Sequence, residues 1–341
     1  MTLKFTNKML KGVFGSGKRC LGRRLFCQSS AAGMDETTTA LASGLLAGKR
    51  SALARSITLA ESSRDDHKEQ AMLLLNDVMK RRSDMKEAEN GNSSQEKSGK
   101  QPLFAKGLTM RLGIAGPPGA GKSTFIEQLG TRLIENHGHR VAVIPVDPSS
   151  HISGGSILGD KTRMESLSIN PDAYVRASPT RGVLGGIAEH TCDVISLCES
   201  AGYDVVIVES VGLGQSEVDI DTAVDMLLMV VPPGGGDGLQ ASKKGIMEAA
   251  DMVAVNKADG DLLAQAKHTR ADYAGSMAFI RQKHPNWRPE VLMMSARTGK
   301  GLQTLENKLA TFHHDMMAQG TLQVRKPLQS IEISDGHIYK S

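Results

Sequence analysis

Residues Gly116-Pro117-Pro118-Gly119-Ala120-Gly121-Lys122-Ser123-Thr124 constrain this 341-residue chain more than any other stretch. The pattern G-x-x-x-x-G-K-S lets a glycine-bearing backbone curl until its N–H groups point inward at phosphate oxygens. Lys122 then adds a positive charge beside the terminal phosphates, and the Ser123 hydroxyl is placed to ligate Mg²⁺. The flanks agree. Met110–Ala115 is a short apolar run that reads as a strand, and Phe125, Leu129, Leu133 and Ile134 make a helical apolar stripe. A helix N-terminus therefore lies under the phosphates, where its dipole favours anions. A plain glycine turn is the alternative, and the flanking strand and helix weigh against it.

From Leu103 onward, strand, loop and helix patterns alternate. Apolar runs at Met110–Ala115, Val141–Val146, Val205–Val208, Met226–Val231, Met252–Val255 and Val291–Met294 suit strands buried on both faces. The fold expected is α/β, a mainly parallel central sheet flanked by helices, with an N-terminal helical extension. Two amphipathic helices are expected in that extension, over Leu41–Glu61 and His67–Arg82. Ser51 is an N-cap candidate in the first, where Leu53, Ile57 and Ala60 share a side; Met72, Leu75 and Met79 share a face of the second. The polar, glycine- and serine-bearing stretch Arg81–Gln101 reads as a flexible linker. The division expected is an extension over 35–82, a linker over 83–102, a nucleotide-binding domain over 103–311, and a final helix and tail over 312–341.

Charge distribution narrows the function. The formal net charge is +4, yet residues 1–34 hold seven Lys/Arg and no acid, which leaves 4 − 7 = −3 for the remainder. A mildly acidic body offers no basic face for nucleic acid. The basic leader, with Phe5, Met9, Leu10, Phe14, Leu21, Leu25 and Phe26, reads as a mitochondrial transit peptide, which points to the matrix; a disordered basic tail is the alternative. Met226–Val231 is far too short to cross a bilayer, so no membrane role is expected. Cys192 and Cys198 form no CxxC and no disulfide framework. The adjacent pair His313-His314 reads as solvated surface rather than as a ligand set.

Other chemistry-bearing residues fall after the apolar runs. Asp147 ends one of them and is placed either for Mg²⁺ and its waters or as a turn aspartate before Pro148. Asp160, in the glycine-bearing stretch 154–163, is open to metal or phosphate contact, or to a solvated loop. Four apolar residues deliver Glu209 to a strand end, where an acid organises Mg²⁺ and the attacking water. Gly212, three residues on, can offer its N–H to the γ-phosphate. Gln215 follows on the same segment. Asn256-Lys257-Ala258-Asp259 then selects the base: Asp259 accepts from guanine N1 and its 2-amino group, and Lys257 covers the ring. Adenine would leave that carboxylate unpaired. Ser295-Ala296 matches the short loop whose backbone meets guanine O6.

With these residues assembled, the chain resembles the methylmalonyl-CoA mutase-associated GTPases of the SIMIBI class, from about Leu45 to about Val324. The likeness is carried by GPPGAGKSTFIE, VDPSS, GGSILGDKTRM, SPTRGVLGG, AGYDVVIVESVGLGQSEV, GGGDGLQASKKGIMEAAD, NKADGD and SARTGKG. The resemblance implies a GTPase that chaperones methylmalonyl-CoA mutase, gating delivery of adenosylcobalamin and protecting or reactivating the mutase. It implies Mg²⁺ held near Ser123, Asp147, Asp160 and Glu209, catalytic roles for those acids with Lys122, and a further partner-sensing segment including Asp237, Lys243 and Lys244. Cobalamin is expected to be handled through partners, the cobalamin adenosyltransferase among them, rather than by this chain. Two departures stand out. Gly238 replaces a usual acid and Ala241-Ser242 a usual Gly-Ile. The family also dimerises through a basic, tryptophan-containing arm beyond the region of Gln323–Arg325; here Lys326-Pro327 intervenes, and Pro327 disfavours a continuing helix, which puts the homodimer in question. Arg181 is a candidate arginine finger, with a structural role as the alternative.

Three rivals remain on sequence grounds. A nickel-inserting chaperone of the same scaffold would bring Cys/His ligands. A kinase would need an acceptor site and has no use for N-K-x-D. A nucleotide-dependent binding module with little hydrolysis is separated from an enzyme by a turnover assay.

Overall fold

The computed structural model describes residues 33–89, 100–105, 107–147, 164–176, 178–179, 186–210, 220–234, 244–320 and 322. Its helices are α1 (Glu36–Leu46), α2 (Arg50–Ala60), α3 (Asp65–Glu89), α4 (Lys122–His137), α5 (Glu165–Ile169), α6 (Gly186–Ser200), α7 (Lys244–Ala249), α8 (Leu263–Met277) and α9 (Leu302–Ala318). Its strands are β1 (Met110–Ala115), β2 (Val141–Asp147), β3 (Ala173–Val175), β4 (Ser178–Pro179), β5 (Val205–Ser210), β6 (Met226–Val231), β7 (Met252–Val255) and β8 (Glu290–Met293). Seven strands run in the order β3-β2-β5-β1-β6-β7-β8, and β4 pairs with β2 further along its length. Every pairing among the described strands is parallel.

All six apolar runs read from the sequence become strands, and the alternation of side chains explains why they are apolar throughout. Met226, Leu228 and Val230 join the core on one face of the sheet, with α4, α9 and Phe104. Leu227, Met229 and Val231 join the core on the other face, with α6 and the N-terminal helices. Both faces are covered, so neither can be polar. The short β3 and β4 carry no such signal and were not expected.

The extension differs from expectation in its joints. One helix over Leu41–Glu61 is in fact two, because the chain turns at Gly48 with φ +71°. The Gly48 N–H donates to the Leu45 carbonyl at 2.8 Å and the Lys49 N–H to the Gly44 carbonyl at 3.0 Å, the paired bonds by which a glycine ends a helix. Lys49, not Ser51, holds the N-cap position of α2. At the other end α3 continues to Glu89, seven residues into the stretch expected to be linker. The extension also joins the core. Leu45, Leu53, Ile57, Leu74 and Val78 share one core with Val194, Ile195 and Leu197 of α6. Each such buried aliphatic side chain contributes about 1.5–3 kcal/mol.

At the opposite face, α9 buries Leu302, Leu305, Leu309, Phe312 and Met316 at helical spacing. The Phe312 ring meets Trp287 edge-on at 5.0 Å and His284 at 5.6 Å. His313 corrects the sequence reading. It is 2% exposed, with its ring 5.2 Å from Phe104, whereas His314 stays in solvent. Adjacent residues lie about 100° apart on a helix, so the core boundary passes between the two rings. Burial, with His139 and His314 adding repulsion, pushes the His313 pKa down to about 4 from the usual 6.5.

The folded state therefore holds His313 neutral where the unfolded chain binds a proton. Its contribution is complete above about pH 6.5 and is lost as pH falls toward 4. Replacing it by Gln should narrow the stability gap to the parent chain by on the order of 1 kcal/mol between pH 7 and pH 5. Urea unfolding of both proteins at the two pH values measures this; a gap independent of pH would show that His313 titrates normally.

Candidate functional site

Because the strands are parallel, their carboxyl ends share one edge of the sheet, and the motifs read from the sequence follow those ends. The phosphate loop leaves β1, the central strand. Gly116 has φ +148°, and a Cβ there would lie 2.0 Å from the Val230 carbonyl oxygen of β6. Only glycine lets the loop begin that close to the neighbouring strand. Gly121, with φ +86°, is the N-cap residue of α4 and brings no capping side chain. The first-turn N–H groups of α4 are thus left to an anion of the kind the loop is shaped for. Lys122 is buried, and its Nζ donates to the Gly116 carbonyl at 2.8 Å and to the Pro117 carbonyl at 3.3 Å. Pro117, Pro118, Gly119 and Ala120 form the turn between, and Thr124 is exposed in the first turn of α4.

Glu209 reaches this loop through strand register. It pairs with Ile114 of β1 on one side and Pro145 of β2 on the other. Alternation turns it to the same face as Val205 and Ile207, the face that α4 covers. Its Oε1 accepts from the Ser123 hydroxyl at 3.2 Å, and the residue is 6% exposed. Two hard oxygen donors thus converge at the mouth of the loop, a donor chemistry that fits Mg²⁺ and not a thiophilic metal. Asp147 is the last residue of β2, its backbone at the same edge of the sheet.

The base-selecting loops follow β7 and β8. Asn256 is 1% exposed and works in both directions. Its Nδ2 donates to the Ala120 carbonyl at 2.9 Å, and its Oδ1 accepts from the Ala296 N–H at 2.9 Å. Lys257 adopts φ +57°, rare for a residue with a side chain, and its Nζ donates to the Gly119 carbonyl at 2.6 Å. The Ser295 hydroxyl donates to Asp259 Oδ2, fixing one carboxylate oxygen. Arg297, which the sequence reading did not name, stands with Nη2 3.6 Å from Asp259 Oδ1. Its side chain is 84% exposed, so the pair is weak, and only its place two residues after Ser295 could have signalled it.

The structure thus brings together the 116–124 loop, Glu209, Asn256, Lys257, Asp259, Ser295 and Ala296. Asp160, Gly212, Gln215, Asp237 and Lys243 lie outside the described residues, as do Arg181 and Gly238. Lys244 begins α7, with only its backbone described.

The family model described as methylmalonyl Co-A mutase-associated GTPase MeaB matches residues 85–336. The chain is 44% identical over 289 residues to the mitochondrial methylmalonic aciduria type A homolog of Mus musculus, covering 85% of this chain and 66% of that protein's length. It is 41% identical over 285 residues to GTPase ArgK of Escherichia coli, covering 84% of this chain and 78% of that one. Among solved structures, a LAO/AO transport system kinase superposes with a TM-score of 0.65 at 33% identity, covering 86% of this chain and 81% of that one.

The contact between the phosphate loop and the base loop can be broken at one atom. A Cβ on residue 121 would meet Asn256 Nδ2 at 2.7 Å. Left-handed backbone adds about 1–2 kcal/mol of strain for a residue with a side chain. Gly121→Ala should therefore weaken guanine-nucleotide binding by at least about tenfold. Titration with a fluorescent GDP analogue measures it; unchanged affinity would show that the two loops are independent.

Proposed function

The chain belongs to the methylmalonyl-CoA mutase-associated GTPase family and is a GTP hydrolase, and from that premise we propose that it chaperones methylmalonyl-CoA mutase. In this reading, GTP hydrolysis gates delivery of adenosylcobalamin and protects or reactivates the mutase, in the mitochondrial matrix. The observation that carries the catalytic half is the Ser123–Glu209 hydrogen bond at the mouth of the phosphate loop, 3.2 Å long.

In this reading the roles are as follows. The phosphate-loop N–H groups and Lys122 hold the β- and γ-phosphates and neutralise charge that builds as the terminal bond breaks. Ser123 and Glu209, with Asp147 and Asp160, would hold Mg²⁺, which when bound would supply positive charge to offset that of the terminal phosphates. Glu209 also orients the attacking water, and the Gly212 N–H meets the γ-phosphate. Asp259, with one oxygen held by Ser295, accepts from guanine N1 and the 2-amino group. Lys257 lies over the ring, and the Ser295-Ala296 loop meets O6 when the Ala296 N–H turns to it from Asn256 Oδ1. The segment with Gln215 and the separate one with Asp237, Lys243 and Lys244 carry the partner's signal, and cobalamin stays with the partners, the adenosyltransferase included.

Two outcomes are expected. Methylmalonyl-CoA mutase should raise the rate of GTP hydrolysis, and Glu209→Ala should lower it about 100-fold or more with and without the mutase. A rate that ignores the mutase would overturn the client and leave the GTPase. Separately, Asp259→Asn should cost GTP about 100-fold in affinity, the worth of two hydrogen bonds to a charged acceptor. The same variant should gain xanthosine triphosphate, whose 2-oxo group can accept from the Asn amide. Competition binding with the two nucleotides decides it.

A further inference from the structure

Arg176 stands between β3 and β4 at the edge of the sheet. β2 turns the N–H and carbonyl of alternate residues toward β3 and β4: the Val141 N–H donates to the Asp172 carbonyl at 2.9 Å, and the Val143 carbonyl accepts from the Arg176 N–H at 3.0 Å. The next residue facing that way is Pro145, which has no N–H to give. That ladder bond is missing, and pairing continues at the same offset as β4, where Ser178 pairs with Val146 and Pro179 with Asp147. The register of β5 against β2 ends at Val146, so β4 is the strand that pairs with Asp147 among the described residues. Two residues make too short a strand to hold their own place.

What holds the chain between β3 and β4 is the helical extension. Arg176 Nη1 donates to the Ala54 carbonyl at 2.6 Å, and Nη2 donates to Thr58 Oγ1 at 3.0 Å and to Glu61 Oε2 at 2.8 Å. The three acceptors lie along one face of α2 and its C-cap residue Glu61. Such a row suits a planar guanidinium and not an ammonium. Both side chains of the ion pair are largely buried, at 24% and 11% exposure, so the grip is not a loose surface contact. A few residues upstream, Arg50 Nη1 donates to the Asn170 carbonyl at 3.3 Å and ties the approach to β3 as well.

We propose that Arg176 is a positioning residue for GTP hydrolysis. Clamped to α2, it seats β4 against the end of β2 and thereby fixes the backbone at Asp147, at the phosphate edge of the sheet. The extension is then part of the catalytic apparatus. This rests on the reading of Asp147 as a residue of the Mg²⁺ site.

The test compares Arg176→Ala, Arg176→Lys and Asp147→Asn in the full chain. Hydrolysis is measured across a Mg²⁺ titration, and GDP affinity is measured separately in EDTA. Arg176→Ala should raise the Mg²⁺ concentration for half-maximal rate by about tenfold and lower kcat, with GDP affinity in EDTA unchanged. Arg176→Lys should remain impaired, since an ammonium cannot span three acceptors. If Arg176→Ala does not fold, Glu61→Gln, which keeps the shape and removes the charge, should shift the Mg²⁺ midpoint in the same direction. A folded Arg176→Ala with an unchanged Mg²⁺ midpoint, while Asp147→Asn moves it, overturns the proposal and leaves the metal reading intact. A silent Asp147→Asn overturns the route through Asp147 whatever Arg176 does. A uniform fall in rate with no Mg²⁺ shift reduces Arg176 to a structural clasp.

Discussion

Asn256 is the joint on which the nucleotide site depends. Its side-chain amide is buried and bonded at both ends, to the phosphate loop through the Ala120 carbonyl and to the loop after β8 through the Ala296 N–H. Its own backbone N–H donates to the Val231 carbonyl of β6. One residue thus fixes the loops that follow β1, β7 and β8 relative to one another. Removing the amide would leave buried backbone groups unpaired at a cost of about 1–3 kcal/mol each. The phosphate loop and the base-selecting loop are, in energetic terms, a single element.

That joint depends in turn on the backbone conformations around it. Gly116 must approach the Val230 carbonyl, and Lys257 must take the left-handed conformation that aims its ammonium at the Gly119 carbonyl. A non-glycine residue persists there only when its surroundings over-determine it. Here the over-determination is visible: the neighbouring Asn256 and Ala258 both anchor their N–H groups in adjacent strands or loops, at 2.9 Å each. Strain at Lys257 is therefore carried by a framework, and the lysine side chain is held over the loop.

Much of this was legible in the sequence, for a physical reason. A sheet covered on both faces requires continuous apolar strands, and those are easy to read; a parallel sheet gathers the strand ends on one edge, so motifs that follow strands must converge. What escaped reading was short or depended on partners far away in sequence. β3 and β4 contain too few residues for any period to show. The turn at Gly48 hid inside an apolar pattern that runs through it, because the helices on either side bury their faces in the same core. His313 looked solvated because an adjacent pair cannot share a face, and that argument fails when the two faces belong to different environments. Arg176 carried no signal: its role depends on Pro145, which removes one hydrogen bond, and on acceptors more than a hundred residues earlier.

The extension's place in the structure has a consequence that runs both ways. It contributes to the same core as α6, so it cannot detach without exposing side chains such as Leu53 and Ile57. Its polar grip, through Arg176 and Arg50, falls at the sheet edge beside β2 rather than at random on the surface. If that grip favours the arrangement of β2 in which nucleotide and cation bind, linkage requires the reverse as well. Binding at the phosphate edge must tighten the hold on α2 by the same free energy. A protein that recognised the outer surface of α2 or α3 would then sense the nucleotide state without touching the nucleotide. A helical segment packed against the edge of a GTPase sheet is, by this argument, placed to report on the reaction as well as to support it.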